Sequence, residues 1–252
     1  ALRALGYIGG VQDQDLVSGA GKEHPHVMEH LKTGIFFFLR DSISASEKEI
    51  RTTLAMSPNN ITARKYLGSI LFMQEKYIEA ARVLRSILGK TKADAEVRLI
   101  LSQCLLKSDK KDEGLEQLKR IPGERMADPQ IAFKAANILF QAGEFKTAGN
   151  ILEQTIEKRP DKLNVMRQAT GLHFQYKNWP AARKLLIREL TMEPTLPAYL
   201  LLSDVSTNMG RLDEARQILE KVLGYGVPDN IRPRVEKQLE TLKERIRKEG
   251  KN

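Results

Sequence analysis

The sequence predicts an all-α chain of stacked helical hairpins closed by a C-terminal capping helix, and three observations predict it. Small residues recur at a spacing of 34: Gly34, Gly68, Ser102, Ala136 and Thr170, with Ser203 one residue short of that ruler. A second small series runs in phase twelve residues later, through Ala80, Gly114, Ala148, Ala182 and Ala215. Between these marks the apolar residues fall at helical spacing. Two small residues per unit mark where two helices touch closely. A fixed period in this range is the signature of a stacked-repeat architecture. Repeat proteins of this kind bind partners far more often than they carry out chemistry.

Each element follows from its local pattern. Residues 1–26 are Gly-rich and polar in the middle, with Gly9-Gly10 and Gly19-Ala20-Gly21, after a short apolar start. They read as a linker or as the remnant of an upstream domain. From Val27 the units run 27–60, 61–94, 95–128, 129–162, 163–195 and 196–229, each a helix A followed by a helix B. In unit 129–162, Asp128 is the expected N-cap and Pro129 takes the first helical position, where its missing N–H costs nothing. Helix A then places Ile131, Ala135, Ile138 and Leu139 on one stripe. Gly143 provides the turn. Helix B carries Phe145, Ala148, Ile151, Leu152 and Ile156, and Pro160 stops it.

The other units repeat this with local wear. Ser44 with Glu47 forms an expected capping box before helix B of the first unit. Asn60 and Asp161 are the expected N-caps of the helices that follow them. In unit 95–128, Pro122-Gly123 ends helix B early and a loop to Asp128 restores the period. Residues 230–252 complete the chain as a capping helix and basic tail. From Pro233 to about Lys248, the residues Val235, Leu239, Leu242 and Ile246 lie at steps of four, three and four. That amphipathic helix is expected to cover the last repeat and turn a polar face outward.

These units resemble the tetratricopeptide repeat. Tyr66-Leu67-Gly68, Tyr77, Ala80 and Leu84 follow the family pattern in the second unit. Gly143, Phe145, Ala148 and Pro160 follow it in the fourth. Trp179, Ala182, Leu186 and Pro194 follow it in the fifth, and Tyr199, Gly210, Leu212, Ala215 and Leu219 in the sixth. Ser46 and Gly114 depart from it and put the local helix packing of the first and third units in question. The resemblance covers residues 27–229 and implies a right-handed superhelix with a concave inner wall. The first ten residues are similar to a segment at the C-terminal end of bacterial sulfatase-like domains of the alkaline-phosphatase superfamily. That resemblance implies an accessory region cut from a hydrolase, with no catalytic residue of that family in this chain.

Composition bounds the function. The 252 residues are 29% charged and 6% aromatic, which suits helices with much exposed surface. No apolar run approaches the roughly 18 residues of a membrane span. The chain starts at Ala1 and not Met, so it reads as a fragment or a processed product. Net charge is +9, of which Ile231–Asn252 carry +4, from eight bases and four acids. The acids Glu236, Glu240, Glu244 and Glu249 interleave with the bases, so this tail reads first as a solvated helix. Anion or nucleic-acid binding through it is the alternative. The single cysteine, Cys104, excludes an intrachain disulfide and reads as a small buried hydrophobe.

No catalytic site, metal site or cofactor is expected. His26-Val27-Met28-Glu29-His30 fits an H-x-x-E-H string, but zinc needs a third ligand from another element, and the other histidines are His24 and His173. No glycine-rich phosphate loop is present, and no spacing organises a nucleophile with a base. The better candidates line helix A. The family resemblance places Phe38, Phe72, Leu106, Phe140 and Phe174, then Thr207, at one wall position. It places Ile35, Ser69, Gln103, Asn137, Gly171 and Asp204 at a second, and Leu39, Met73, Lys107, Gln141, Gln175 and Asn208 at a third. Of these, Phe38, Phe72, Leu106, Asn137, Phe140, Gln141, Phe174 and Gln175 form the candidate groove. A protein or peptide ligand, and no small-molecule substrate, is the implied partner. Rings supply contact area at low entropy cost and amides pair with backbone. The competing reading is that the rings pack between helices, as Trp179 is expected to do. Lys65 stands where one arm of a C-terminal carboxylate clamp would be, but Ser69 replaces the partnering Asn, so that clamp is not expected.

Overall fold

The computed structural model describes residues 25–90, 94–159 and 161–249. These residues form fourteen helices and no strand. In order they are α1 (Pro25–Leu39), α2 (Ile43–Met56), α3 (Ile61–Met73), α4 (Tyr77–Arg85), α5 (Asp94–Lys107), α6 (Lys111–Lys119) and α7 (Gly123–Met126). Then follow α8 (Pro129–Gln141), α9 (Phe145–Glu157), α10 (Lys162–Gln175), α11 (Trp179–Met192), α12 (Leu196–Asn208), α13 (Leu212–Gly224) and α14 (Arg232–Glu249). The A helices are α1, α3, α5, α8, α10 and α12. The chain divides into two compact units, residues 1–151 and 152–252. None of the described helices is long and apolar enough to cross a membrane.

One turn joins helix A to helix B in all six hairpins. A residue with left-handed backbone follows each helix A: Asp41, Glu75, Asp109, Gly143, Lys177 and Gly210, with φ between 54° and 80°. The next amide then reaches back to a carbonyl five residues earlier. Ser42 N–H donates to Phe37 O, Lys76 to Leu71, Lys110 to Leu105, Glu144 to Leu139, Asn178 to His173 and Arg211 to Ser206, at 2.8–3.0 Å. This backbone bond closes each helix and turns the chain straight into helix B. Four of the six left-handed residues are not glycine, so the turn repeats where its sequence signal does not.

The small residues do pair the two helices. In unit 1 the Ser46 hydroxyl donates to Gly34 O at 2.8 Å, from helix B to helix A. Two hairpins on, the direction reverses and Ser102 donates to Gly114 O at 2.8 Å. A Cβ on Gly68 would stand 2.5 Å from Leu84 Cδ2, and one on Gly34 would stand 2.8 Å from Ile50 Cδ1. Both neighbours are fully buried. Ser46 and Gly114 are therefore not weak points: in each hairpin one partner is glycine, and the other spans the close approach with a hydroxyl. In unit 2, Ser203 and Ala215 repeat the contact at 3.4 Å.

Leu31, Ile50, Ile70, Leu84, Leu101 and Leu105 lie in the core of unit 1. In unit 2, Ala182, Leu186, Leu202 and Val205 form one cluster. A second joins Leu212, Ala215, Leu219 and Val222 to Val235, Leu239 and Leu242 of α14. The C-terminal helix thus packs on α13 through the stripe read from the sequence, with Ile246 half-buried at its end. Gln238 Nε2 also donates to Asp204 Oδ1 of α12 at 2.5 Å.

Some local expectations need correction. The Ser44 capping box does not form, because the turn sets Ser42 at the N-cap position and Ser44 falls inside α2. Glu47 instead accepts from Gln74 and Arg51. Asp161 makes no side-chain cap bond and accepts from Arg159. Asn60, Asp128 and Thr195 do cap, accepting from the amides of Ala63, Gln130 and Ala198. Gly123 opens the short α7 and does not stand in a plain loop. Pro160, and the linker up to His24, lie outside the described residues.

Candidate functional site

In unit 1 the A helices α1, α3, α5 and α8 lie side by side, so their wall positions form rows. The ring row is not uniform. Phe38 is 5% and Phe140 2% exposed, whereas Phe72 and Leu106 are half-buried. The candidate groove is therefore corrected at Phe38 and Phe140, whose rings are too buried to meet a ligand. Phe140 lies edge-on to Phe145 at 5.7 Å, and Phe72 edge-on to Tyr77 at 5.4 Å. Each is an aromatic near the end of helix A meeting the aromatic that opens helix B. That contact is worth about 0.5–1.5 kcal/mol beyond the buried area. Phe38 has no such partner on its own helix B and packs edge-on to Tyr66 of α3 at 5.2 Å.

The amide rows also split. Asn137, Gln103 and Ser69 are buried, while Gln141 and Lys107 are exposed and Leu39 and Met73 half-buried. Ser69 Oγ donates to Lys65 O within α3. The Gln103 Oε1 acceptor is buried with no hydrogen-bond partner. What unit 1 presents outward along this wall is Leu39, Phe72, Met73, Leu106, Lys107 and Gln141.

The A helices of unit 1 also carry charges whose grouping the spacing did not show. Glu96 of α5 pairs with Arg125 of α7 at 3.0 Å. Burial pushes the Lys134 ammonium of α8 below its ordinary range; Glu96 opposes that shift and Lys65 adds to it. Only the folded arrangement brings these four charges near one another.

In unit 2, Phe174 is half-buried and edge-on to Trp179 at 5.2 Å, and Gln175 is exposed. The pair repeats the contact of Phe72 with Tyr77 and gives Trp179 its structural role. His173 is buried, with its Nδ1 3.1 Å from Asn178 Nδ2, and burial pushes its pKa down to about 4. Arg167 of α10 donates to Glu189 of α11 at 2.7 Å and to Glu193 at 3.0 Å, and the Glu189 bond raises its already high pKa.

The remaining candidates resolve into ordinary contacts. His26 lies 3.6 Å from Glu29, both well exposed, and His30 Nδ1 faces Glu49 of α2 at 2.6 Å. Among the described residues no group of three or more His, Cys, Asp or Glu side chains is placed to hold a metal. Cys104 is fully buried, and burial pushes its thiol up to about 12, so it is inert. On α14, Arg232 lies against Glu236 and Lys243 against Glu240, the mixed-charge pairing of a solvated helix face.

The tetratricopeptide repeat family matches residues 71–136 of this chain. No curated protein matches it. Among solved structures, a tetratricopeptide repeat protein from Parabacteroides merdae is 15% identical, with 81% of this chain and 82% of that one covered at a TM-score of 0.56. YrrB, described as a tetratricopeptide repeat protein with an unusual peptide-binding site, is 16% identical over 67% of this chain and 87% of that one, at a TM-score of 0.46. At such identity the first likeness is one of fold. It agrees with consecutive helical hairpins and with the period read from the sequence.

Proposed function

We propose that this chain is a protein-interaction module that takes a peptide or helix along the helix A wall of unit 1, with no chemistry of its own. One observation carries the reading. Successive helices present half-buried Phe72 and Leu106 beside exposed Lys107 and Gln141, a row of apolar surface edged by side chains that hydrogen-bond. Such a row suits an extended or helical ligand, apolar contacts giving affinity and the edge giving register. Phe38, Phe140 and Asn137 support the wall from beneath. In unit 2, Phe174 and Gln175 offer the same pair of groups.

Selection from a random peptide library on the intact chain tests this. Selected peptides are expected to lose at least tenfold in affinity to the Phe72→Ala/Gln141→Ala variant, with its helix content unchanged. Peptides that bind that variant as well as the parent would place binding elsewhere.

A further inference from the structure

We infer that unit 2 binds a single-stranded nucleic acid along the outward stripe of α14, through its phosphate backbone. This surface shares no residue with the helix A wall of unit 1. Two observations carry the inference, and the first is a segregation of charge around one helix. At about 100° per residue, Arg234, Lys237, Thr241, Arg245 and Lys248 fall within roughly 80° of arc, along about 21 Å of α14. All five are exposed. None of the four bases has a carboxylate at ion-pair distance among the described residues. The pairs that α14 does form, Arg232 with Glu236 and Lys243 with Glu240, lie on the flank between this stripe and the core. The second observation is an exposed ring. Tyr225, at the C-terminal end of α13, is 74% exposed, more than any other large apolar side chain among the described residues. Lys221 Nζ lies 5.7 Å from its ring and 5.4 Å from that of Tyr199. The short link after Tyr225 leads into the first turn of α14, where Arg234 opens the stripe.

The chemistry selects among anionic partners. An exposed ring at the head of a line of cations is how proteins hold single strands: bases stack on the ring while the cations follow the phosphates. The arginine fork suits phosphate oxygens in particular. A membrane-surface helix sinks an apolar face into the lipid, and here Val235, Leu239 and Leu242 are buried against α13. A flat anionic surface or a duplex would also reach the flank that carries Glu236, Glu240 and Glu244, and be repelled by it. A single strand is narrow enough to follow the basic stripe alone. An acidic helix would gain only exposed ion pairs, which contribute little, whereas a strand releases the counterions condensed on its phosphates.

A fluorescein-labelled single strand of about 20 nucleotides, as DNA and as RNA, is the probe for the intact chain. Anisotropy is expected to show saturable binding at low salt, with log K falling against log salt at a slope of about −3 for four phosphate contacts. Arg234→Gln/Arg245→Gln should weaken binding by about tenfold or more and roughly halve that slope. Tyr225→Ala should weaken it by about fivefold or more and leave the slope in place. All three positions are exposed, so the melting temperature should hold. Arg232→Gln/Lys243→Gln removes the same charge from the flank and should bind within about twofold of the parent. Absence of binding at low salt would overturn the inference. So would equal losses in the two charge variants, which would assign binding to net charge. Tighter binding to phosphatidylserine vesicles than to the oligonucleotide, lost in Arg234→Gln/Arg245→Gln, would overturn it by naming a membrane as the partner.

Discussion

Ser102 and Gly114, twelve residues apart on facing helices, are joined by a hydrogen bond from the serine hydroxyl to the glycine carbonyl at 2.8 Å. Ser46 and Gly34 make the same bond in the opposite direction. The approach is close enough that the hydroxyl reaches the partner backbone directly. A Cβ at Gly114 would stand 3.0 Å from the Ser102 carbonyl oxygen. Ser102→Ala should therefore cost about 1 kcal/mol through the lost bond. Denaturant unfolding at equal m-value measures it, and an unchanged midpoint would show that the bond contributes nothing.

Overpacking at the same seam should cost more. Gly68→Val would drive its side chain into Leu84, which is fully buried and cannot swing to solvent. A loss of roughly 1–3 kcal/mol is expected even after the gain from removing a helix glycine. Ala148→Leu, at the second small series, should lose a similar amount. A wild-type melting temperature for both would end the helix-seam argument.

The ring row can be dissected by truncation. Phe140 is buried, so Phe140→Ala should destabilise by roughly 3–5 kcal/mol. Phe72 is half-buried, so Phe72→Ala should cost clearly less stability while weakening peptide binding. Equal stability losses would mean that Phe72 is core and the wall holds no exposed ring in unit 1.

Lys177 is held at φ 54° in the turn where Gly143 and Gly210 serve elsewhere. Left-handed backbone costs a Cβ-bearing residue about 1–2 kcal/mol, and glycine pays part of that gain back in chain entropy. Lys177→Gly should raise stability by up to about 1 kcal/mol, and Gly143→Val should lower it. Thermal melts of both variants check the pair, and a stabilised Gly143→Val would contradict the turn geometry.

Stability should fall in mild acid. His173 titrates near 4 in the folded chain against an ordinary 6.5, because burial disfavours its charge. Between those values the unfolded chain binds the extra proton and the folded chain does not. Its contribution is thus complete above pH 6.5 and is lost as pH falls towards 4, by at most about 3 kcal/mol. His173 stands where Leu71, Leu105 and Leu139 stand in unit 1, so His173→Leu should flatten the curve. Parallel denaturation at pH 7 and pH 4.5 reads the difference, and an unaltered slope in the variant would assign acid sensitivity to other groups.

The all-α class, the 34-residue period, the small-residue seam and the stripe of α14 were all legible from the chain itself. Each is a periodic property: helical spacing and a fixed repeat survive in one dimension, because every unit must bury the same faces against its neighbours. The tertiary structure decided what depends on which neighbour is present. It set Asp41, Glu75, Asp109 and Lys177 in a turn that only Gly143 and Gly210 advertised, since the backbone bond to the preceding helix enforces φ where side-chain preference does not. It buried Phe38 and Phe140 and left Phe72 and Leu106 half-open, although all four share one repeat position. It brought Glu96, Arg125, Lys134 and Lys65 near one another from four helices. It left Phe36 open at a register where Ile70, Cys104 and Ile138 are closed. Burial is a property of what lies across from a residue, and a repeating sequence states the position without stating the neighbour.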